Sequence, residues 1–155
     1  MKKILLVLSV AVTPEKAIDY AIERAGMDKT GLVVLYVIDT EPAEEILESF
    51  SDVGFVGDRP SMRLSESIMK EYRQRGYDEI GRVQIKAMEA GVEFEPIMEQ
   101  GDLAEKVLEL IRRFDIKLAI LTKKGKRSFF KYLSRSPSDE VKEKAACEVV
   151  VFTDE

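Results

Sequence analysis

The part of this chain best suited to chemistry is a run of positive charge near its carboxyl end. Between Lys117 and Ser136 there is no Asp or Glu, and the cations are Lys117, Lys123, Lys124, Lys126, Arg127, Lys131 and Arg135. The formal net charge of the protein is -5, so this basic run is a local positive field on an acidic body. In open α/β sheets, a loop that leaves a buried strand and enters a helix binds anions, because free backbone N–H groups and the helix dipole meet there.

Three interpretations of the basic run remain open. It is a solvated surface, a site for a small anion or nucleotide, or a nucleic-acid contact in which Phe129, Phe130 and Tyr132 stack on bases. The acidic character of the whole chain disfavours nucleic acid. The residues expected at an anion site are Gly125, Lys126, Arg127, Arg135 and Ser136.

The chain contains no His, which removes the commonest general base and the commonest metal ligand. Neither Lys124 nor Lys126 has an evident base or acceptor beside it in the sequence. We therefore predict no catalytic residue and no metal site.

Five segments are apolar and β-favourable, as expected for strands. They are Ile4–Leu8, Leu32–Ile38, Val92–Met98, Leu118–Leu121 and Glu148–Thr153. Pro96 removes a ladder donor from the third segment, which favours an edge position for it.

Helical periodicity fills the intervals between these strands. The first helix follows Thr13 and ends at Gly26, and a long pattern from about Met62 to Ala90 predicts a helix interrupted or bent near Gly76. Asp102, with Glu105 three residues on, and Ser136, before Pro137, predict two more helix starts, and Thr13 predicts a cap for the first helix. The last helix is predicted from Pro137 to Ala145. Residues 41–61 are irregular, with a short acidic helix from Glu44 to Phe50 and a glycine-containing loop after it.

Strands that alternate with helices predict an open, doubly wound α/β fold with a parallel sheet and helices on both faces. Right-handed crossovers place the loops after the first and fourth strands, residues 9–13 and 122–136, at one edge of the sheet. A crevice for a ligand is expected there. Residues 1–155 form a single domain in this interpretation.

Composition describes a soluble globular protein, with 45% apolar and 34% charged residues. The apolar run from Ile4 to Val12 is too short to span a bilayer, which needs about 20 residues. It follows Lys2 and Lys3 like a signal peptide but has no cleavage pattern, so a cytoplasmic location is expected. The single Cys147 allows no internal disulfide and is expected to be buried. The lack of Asn and the many charged residues are similar to heat-adapted proteins.

The chain resembles the universal stress protein family over nearly its full length. The resemblance rests on the order of several stretches: Lys3-Ile4-Leu5-Leu6-Val7, Glu15-Lys16-Ala17, Tyr20-Ala21, Leu35-Tyr36-Val37-Ile38-Asp39, Gly101-Asp102-Leu103-Ala104 and Ala145-Ala146-Cys147-Glu148-Val149-Val150-Val151. It implies a five-stranded sheet of order 3-2-1-4-5, Rossmann-like in the manner of the adenine nucleotide alpha hydrolases. It also implies a homodimer through the last strand, with Val149, Val151 and Thr153 along the contact.

Family members that bind ATP have a motif after the fourth strand: Gly, two residues, Gly, nine residues, Gly, then Ser or Thr. Here these positions fall on Thr122, Gly125, Arg135 and Ser136, so two of the three glycines are replaced. The Asp that follows the first strand in the family falls on Ser9. Glycine is needed where phosphate must approach the backbone closely, so Thr122 and Arg135 should hinder that approach.

The resemblance therefore implies a regulatory or stress-response module with a degenerate nucleotide site that binds ATP weakly or not at all. ATP or another phosphate-containing anion is the ligand class, contacted by Ser9, Gly125, Lys126, Arg127, Arg135 and Ser136. The alternatives are an ATP-binding protein or slow ATPase that uses loop 122–136, and a nucleic-acid-binding module that uses the same loop.

Overall fold

The computed structural model describes residues 2–10, 13–38, 58–124 and 136–154. The strands in this part of the chain are β1 (Lys3–Ser9), β2 (Leu32–Ile38), β3 (Phe94–Gln100), β4 (Ile116–Lys124) and β5 (Glu148–Asp154). The helices are α1 (Glu15–Met27), α2 (Asp58–Glu89), α3 (Leu103–Arg113) and α4 (Pro137–Lys144). The predicted helix at 44–50, the irregular loop as far as residue 57, and Gly125, Lys126, Arg127 and Arg135 lie outside these ranges.

The five strands form one parallel sheet in the order β3-β2-β1-β4-β5, which confirms the predicted fold class and order. β1 lies at the centre and β2 beside it, and all seven residues of β2 are buried. Their continuous apolar sequences follow from this position, because helices cover both faces of the sheet. Pro96 lies in β3 at one edge, as predicted, where a strand tolerates a missing N–H donor.

The sheet divides the core into two layers. Ile4, Leu6 and Leu8 of β1 point toward the layer that contains α1 and α2. Leu5 and Val7 point toward the layer that contains α3 and α4. This alternation is the period of two expected of a strand, and burial on both faces fixes its register.

Strand boundaries differ from the predicted ones. β3 begins at Phe94 rather than Val92 and continues to Gln100. β4 extends from Ile116 to Lys124, beyond the predicted Leu118–Leu121. The ladder with β5 continues past the last apolar residue of β4, so pairing rather than hydropathy sets this end.

The long helix α2 is continuous through Gly76, so the predicted interruption there was wrong, while a bend near Gly76 stays a prediction. The helix also begins at Asp58, before the predicted Met62, so residues 58–61 are helical rather than irregular. Packing explains the glycine: a Cβ at Gly76 would lie 2.6 Å from Met98 Cε and 2.7 Å from Tyr36 Cδ1. The Tyr36 hydroxyl beneath the helix is buried without a hydrogen-bond partner among the described residues, and burial raises the pKa of Tyr36 to about 12.

Helix starts were predicted correctly for α3 and α4 but not for α1. Asp102 accepts a hydrogen bond from Glu105 N at 3.0 Å, as a cap should. At α1 the cap position is occupied by Pro14, and no side chain caps the helix. α1 also continues past Gly26 to Met27, where Asp28 takes the carboxyl cap.

Candidate functional site

We call the gap between the diverging carboxyl ends of β1 and β4 the crevice. The two strands pair only as far as Leu6 and Ile120. Beyond that point β1 continues beside β2 to Ser9, and β4 continues beside β5 to Lys124. The chain leaves β1 toward one edge of the sheet and β4 toward the other, which makes this gap the topological switch point where α/β sheets bind ligands.

Ser9 forms one wall of the crevice, at the end of β1. Thr13, which is 2% exposed, lies just before α1. Arg82 of α2 contacts this helix start: its Nη2 donates to Thr13 O at 3.3 Å, and its Nη1 lies 2.5 Å from Glu15 Oε2. The start of α1 is therefore held by a side chain distant in sequence.

Lys86, one turn after Arg82, completes this contact between α2 and α1. It forms ion pairs with Glu15 and, at 2.8 Å, with Asp19 Oδ1. Arg82 also pairs with Glu79 on its own helix at 2.8 Å. We call Arg82 and Lys86, with their partners on α1, the α2 clamp.

Thr122 stands on the opposite wall, near the end of β4. Its Oγ1 is buried and has no hydrogen-bond partner within the described part of the chain. A buried hydroxyl without a partner carries a desolvation cost. Its side chain also adds bulk where the strands diverge, which a glycine would leave open.

Ser136 caps α4 at the far end of the basic run, as predicted. Its Oγ accepts from Asp139 N at 3.3 Å, and its carbonyl accepts from Glu140 N at 3.2 Å. Pro137 has no N–H. Within the described residues this leaves the N–H groups of Ser136 and Ser138 without an acceptor, so the helix start has fewer donors to offer an anion than an uncapped start without proline would have.

The cations of the basic run do not share one location. Lys117 lies at the amino end of β4, away from the crevice, and its Nζ is 2.8 Å from Asp28 Oδ2. Lys123 lies at the crevice end, with its Nζ 3.8 Å from Asp139 Oδ2 at the start of α4. The assignment of Lys117 to one local positive field was therefore wrong, and a carboxylate partly balances Lys123.

Cys147 is half-buried just before β5. Burial raises the pKa of its thiol, which keeps the thiol protonated at neutral pH. A redox role needs the thiolate, so this environment does not favour one.

Of the predicted site residues, the structure describes Ser9 and Ser136 and places both at the carboxyl edge of the sheet. Sequence reasoning missed Arg82 and Lys86. A signal was present, because Glu15 with Asp19 and Arg82 with Lys86 are two pairs at a spacing of four residues and of opposite charge. When two such helices pack side by side, the acidic pair on one can form ion pairs with the basic pair on the other.

No described helix has both the length and the apolar character needed to cross a membrane. A search of curated proteins finds no significant match. Solved structures match well. UspA, a universal stress protein from Lactobacillus plantarum, superposes with a TM-score of 0.73 at 18% identity over 97% of this chain and 97% of its own.

Two other structures similar to this chain are universal stress proteins with a bound nucleotide. One from Archaeoglobus fulgidus in complex with dAMP matches with a TM-score of 0.59 at 13% identity over 97% of both chains. Another, in complex with cAMP, matches with a TM-score of 0.59 at 13% identity over 99% of this chain and 98% of its own. At these low identities, the superpositions show a shared fold alone. The model of the universal stress protein family matches residues 1–153, and the chain belongs to that family.

Proposed function

We propose that this protein is a cytoplasmic, homodimeric regulatory module of the stress response whose nucleotide site is degenerate and binds ATP weakly or not at all. The observation that carries this proposal is the closed start of α4. Ser136 and Pro137 use or remove the amides that would bind phosphate, and the Asp139 carboxylate lies beside Lys123.

Thr122 supports the same proposal from the other wall of the crevice. It occupies the first glycine position of the family motif, where the nucleotide of an ATP-binding member would approach the main chain. Its partly exposed side chain fills that space, while its hydroxyl stays buried without a partner. A ligand that reaches the crevice has to accommodate this side chain.

Smaller adenine nucleotides are the ligands to compare with ATP, since relatives bind dAMP and cAMP. Each carries one phosphate and therefore needs fewer hydrogen bonds from the α4 amides than a triphosphate does. We expect any nucleotide response of this protein to be larger for these two than for ATP.

Thermal unfolding with each nucleotide tests the proposal. An intact site at a hundred times its Kd adds about 2.7 kcal/mol to the free energy of unfolding. We expect Mg²⁺ and ATP at about 1 mM to give well under half of that. The double variant Thr122→Gly, Asp139→Asn reopens the site and should respond more strongly, while Lys117→Gln, at the far end of β4, is the matched control.

A large shift for the wild type with ATP would favour the alternative, an ATP-binding protein or slow ATPase. Release of phosphate from ATP at a rate that Thr122→Gly increases would support the ATPase further. Native mass spectrometry of freshly purified protein reports a bound nucleotide and the subunit number together.

The dimer is proposed through β5, the edge strand beside β4. Val149 and Val151 are half-buried and Thr153 is exposed in the single chain. An edge strand of this kind leaves main-chain groups unpaired, and pairing with a second copy satisfies them. We expect light scattering at micromolar concentration to return a dimer mass for the wild type and a monomer mass for Val151→Lys.

A further inference from the structure

The outward face of α2 carries an apolar stripe formed by Tyr77, Ile85 and Met88. These residues are 61%, 61% and 70% exposed, and no described residue covers them. With Gly81 they fall within about 80° of the helix circumference. We call this face the α2 stripe.

Gly81 lies in the middle of the α2 stripe, and its role differs from that of Gly76. Gly76 is required by the close approach of Tyr36 and Met98, whereas a Cβ at Gly81 would meet nothing within 4 Å. Glycine inside a helix is destabilising relative to alanine, because it loses more backbone entropy on folding. The described part of the subunit gives no packing reason for Gly81. A helix that approaches from outside gives one, since missing side chains let two helices come closer.

Two of the three residues of the α2 stripe are placed symmetrically about Gly81. Tyr77 and Ile85 lie four residues to either side of it, and Arg73 and Glu89 lie eight residues to either side. Arg73 and Glu89 are exposed, and neither forms an ion pair with another described residue. In an antiparallel pair of helices related by a twofold axis at Gly81, Tyr77 comes level with Ile85 of the second copy, and Arg73 with its Glu89.

We propose that the α2 stripe is a contact between two copies of this chain, in which α2 helices pack antiparallel across Gly81. The contact is isologous, so each copy contributes the same apolar residues and the same opposite charges. It uses residues other than those of the β5 dimer and does not depend on a nucleotide. If both contacts form, dimers associate further into a closed tetramer or an open chain.

The α2 stripe is small, and its size sets the strength to expect. From Tyr77 to Met88 it spans about 17 Å along the helix axis. A stable interface buries about 800 Å² on each partner, more than three side chains supply. The contact is therefore weak and appears with rising protein concentration.

Sedimentation velocity of the full chain over a range of concentrations tests the proposal. Val151→Lys serves as the background, because it removes the β5 dimer and leaves the α2 contact visible. In that background we expect concentration-dependent dimers, weakened at least about tenfold by Ile85→Lys, which puts a charge into the apolar contact. A single monomeric species up to about 1 mM protein would overturn the proposal.

Gly81→Ala separates this contact from an effect on the fold. The new Cβ meets nothing within the subunit, so the monomer should melt about 3 °C higher through helix propensity. The same Cβ holds the two helices apart, so association should weaken several-fold. Gly26→Ala is the matched control, because its Cβ also meets nothing within 4 Å but lies on α1, where association should not change.

A charge exchange completes the test without touching the apolar residues. Arg73→Glu and Glu89→Arg should each weaken association, since like charges then meet across the twofold axis. The double variant restores opposite charges and should recover the wild-type affinity. Equal association in all three variants, together with no effect of Gly81→Ala, would show that the second copy binds elsewhere.

Discussion

The two helices that begin beside the crevice are held at their amino ends in different ways. α1 has no side-chain cap, and Arg82 and Lys86 hold its first turn from α2. α4 is capped by Ser136, which accepts from the N–H of Asp139 within the same turn. The start of α1 therefore depends on tertiary packing, and the start of α4 on local sequence.

This difference bears on the proposed ligand site, because both helix starts lie at the same edge of the sheet. A local cap uses the donors that an anion needs, which closes the start of α4. The α2 clamp fixes the position of α1 through side chains and a carbonyl, and it does not use the first N–H groups of α1. Variants that remove each device measure how far the two starts differ.

The largest effect is expected from Arg82→Met, which breaks the contacts with Thr13 O, Glu15 and Glu79. Loss of charge-assisted hydrogen bonds at this partly exposed side chain should lower the free energy of unfolding by about 2 kcal/mol. Chemical denaturation measures it, and hydrogen exchange should show faster exchange at the start of α1. Arg75→Met is the control: its pair with Glu71 is exposed, and it should cost less than about 0.5 kcal/mol.

Ser136→Ala should cost about 1 kcal/mol, because it removes the cap of α4. Ser136→Thr keeps a hydroxyl at the cap and should recover most of the loss. If alanine there were neutral, the start of α4 would be held by something other than Ser136.

Thr13→Val should change the free energy of unfolding by less than about 0.5 kcal/mol, because no side chain caps α1. The comparison with Ser136→Ala is direct, since both changes remove a hydroxyl beside a helix start. A loss for Thr13→Val as large as that for Ser136→Ala would mean that the hydroxyl has a role the backbone geometry does not show.

From Asp28, at the carboxyl end of α1, we predict a small dependence of stability on pH. A hydrogen bond from Lys117, followed by the charges of Lys117 and Arg24, lowers the pKa of Asp28 below its ordinary value of 3.8. The folded protein therefore gains stability from Asp28 above that ordinary value and loses it as the pH falls through the lowered pKa. The difference in melting temperature between wild type and Asp28→Asn should shrink over that acidic range. A difference that stays constant down to the lowest pH would exclude this contribution.

The parts of the fold that sequence predicts best are those set by neighbouring residues. Asp102 and Ser136 were identified as caps because a cap acts within one turn. Thr13 also has a side-chain oxygen suited to capping, but in the structure Pro14 occupies the cap position. The α2 clamp joins residues up to 71 positions apart, so only packing brings them together.

In the candidate site, too, features set by neighbouring residues were predicted and features set by tertiary packing were not. The positions of β1 and β4 were located by their apolar runs. The carboxyl end of β4 at Lys124, and the point where the two strands separate after Leu6 and Ile120, depend on strand pairing, which hydropathy does not encode. Lys117 was grouped with the crevice because it is close in sequence, whereas strand direction puts it at the other end of β4.

Gly81 and Arg82 are consecutive residues. The same turn of α2 therefore has an open outer surface at Gly81 and contacts the start of α1 through Arg82. A second copy bound on that outer surface would lie one residue away from the contacts with Thr13 and Glu15. If that contact shifts α2 and thereby changes the space between β1 and β4, then a ligand bound in that space changes the affinity for the second copy by the same factor.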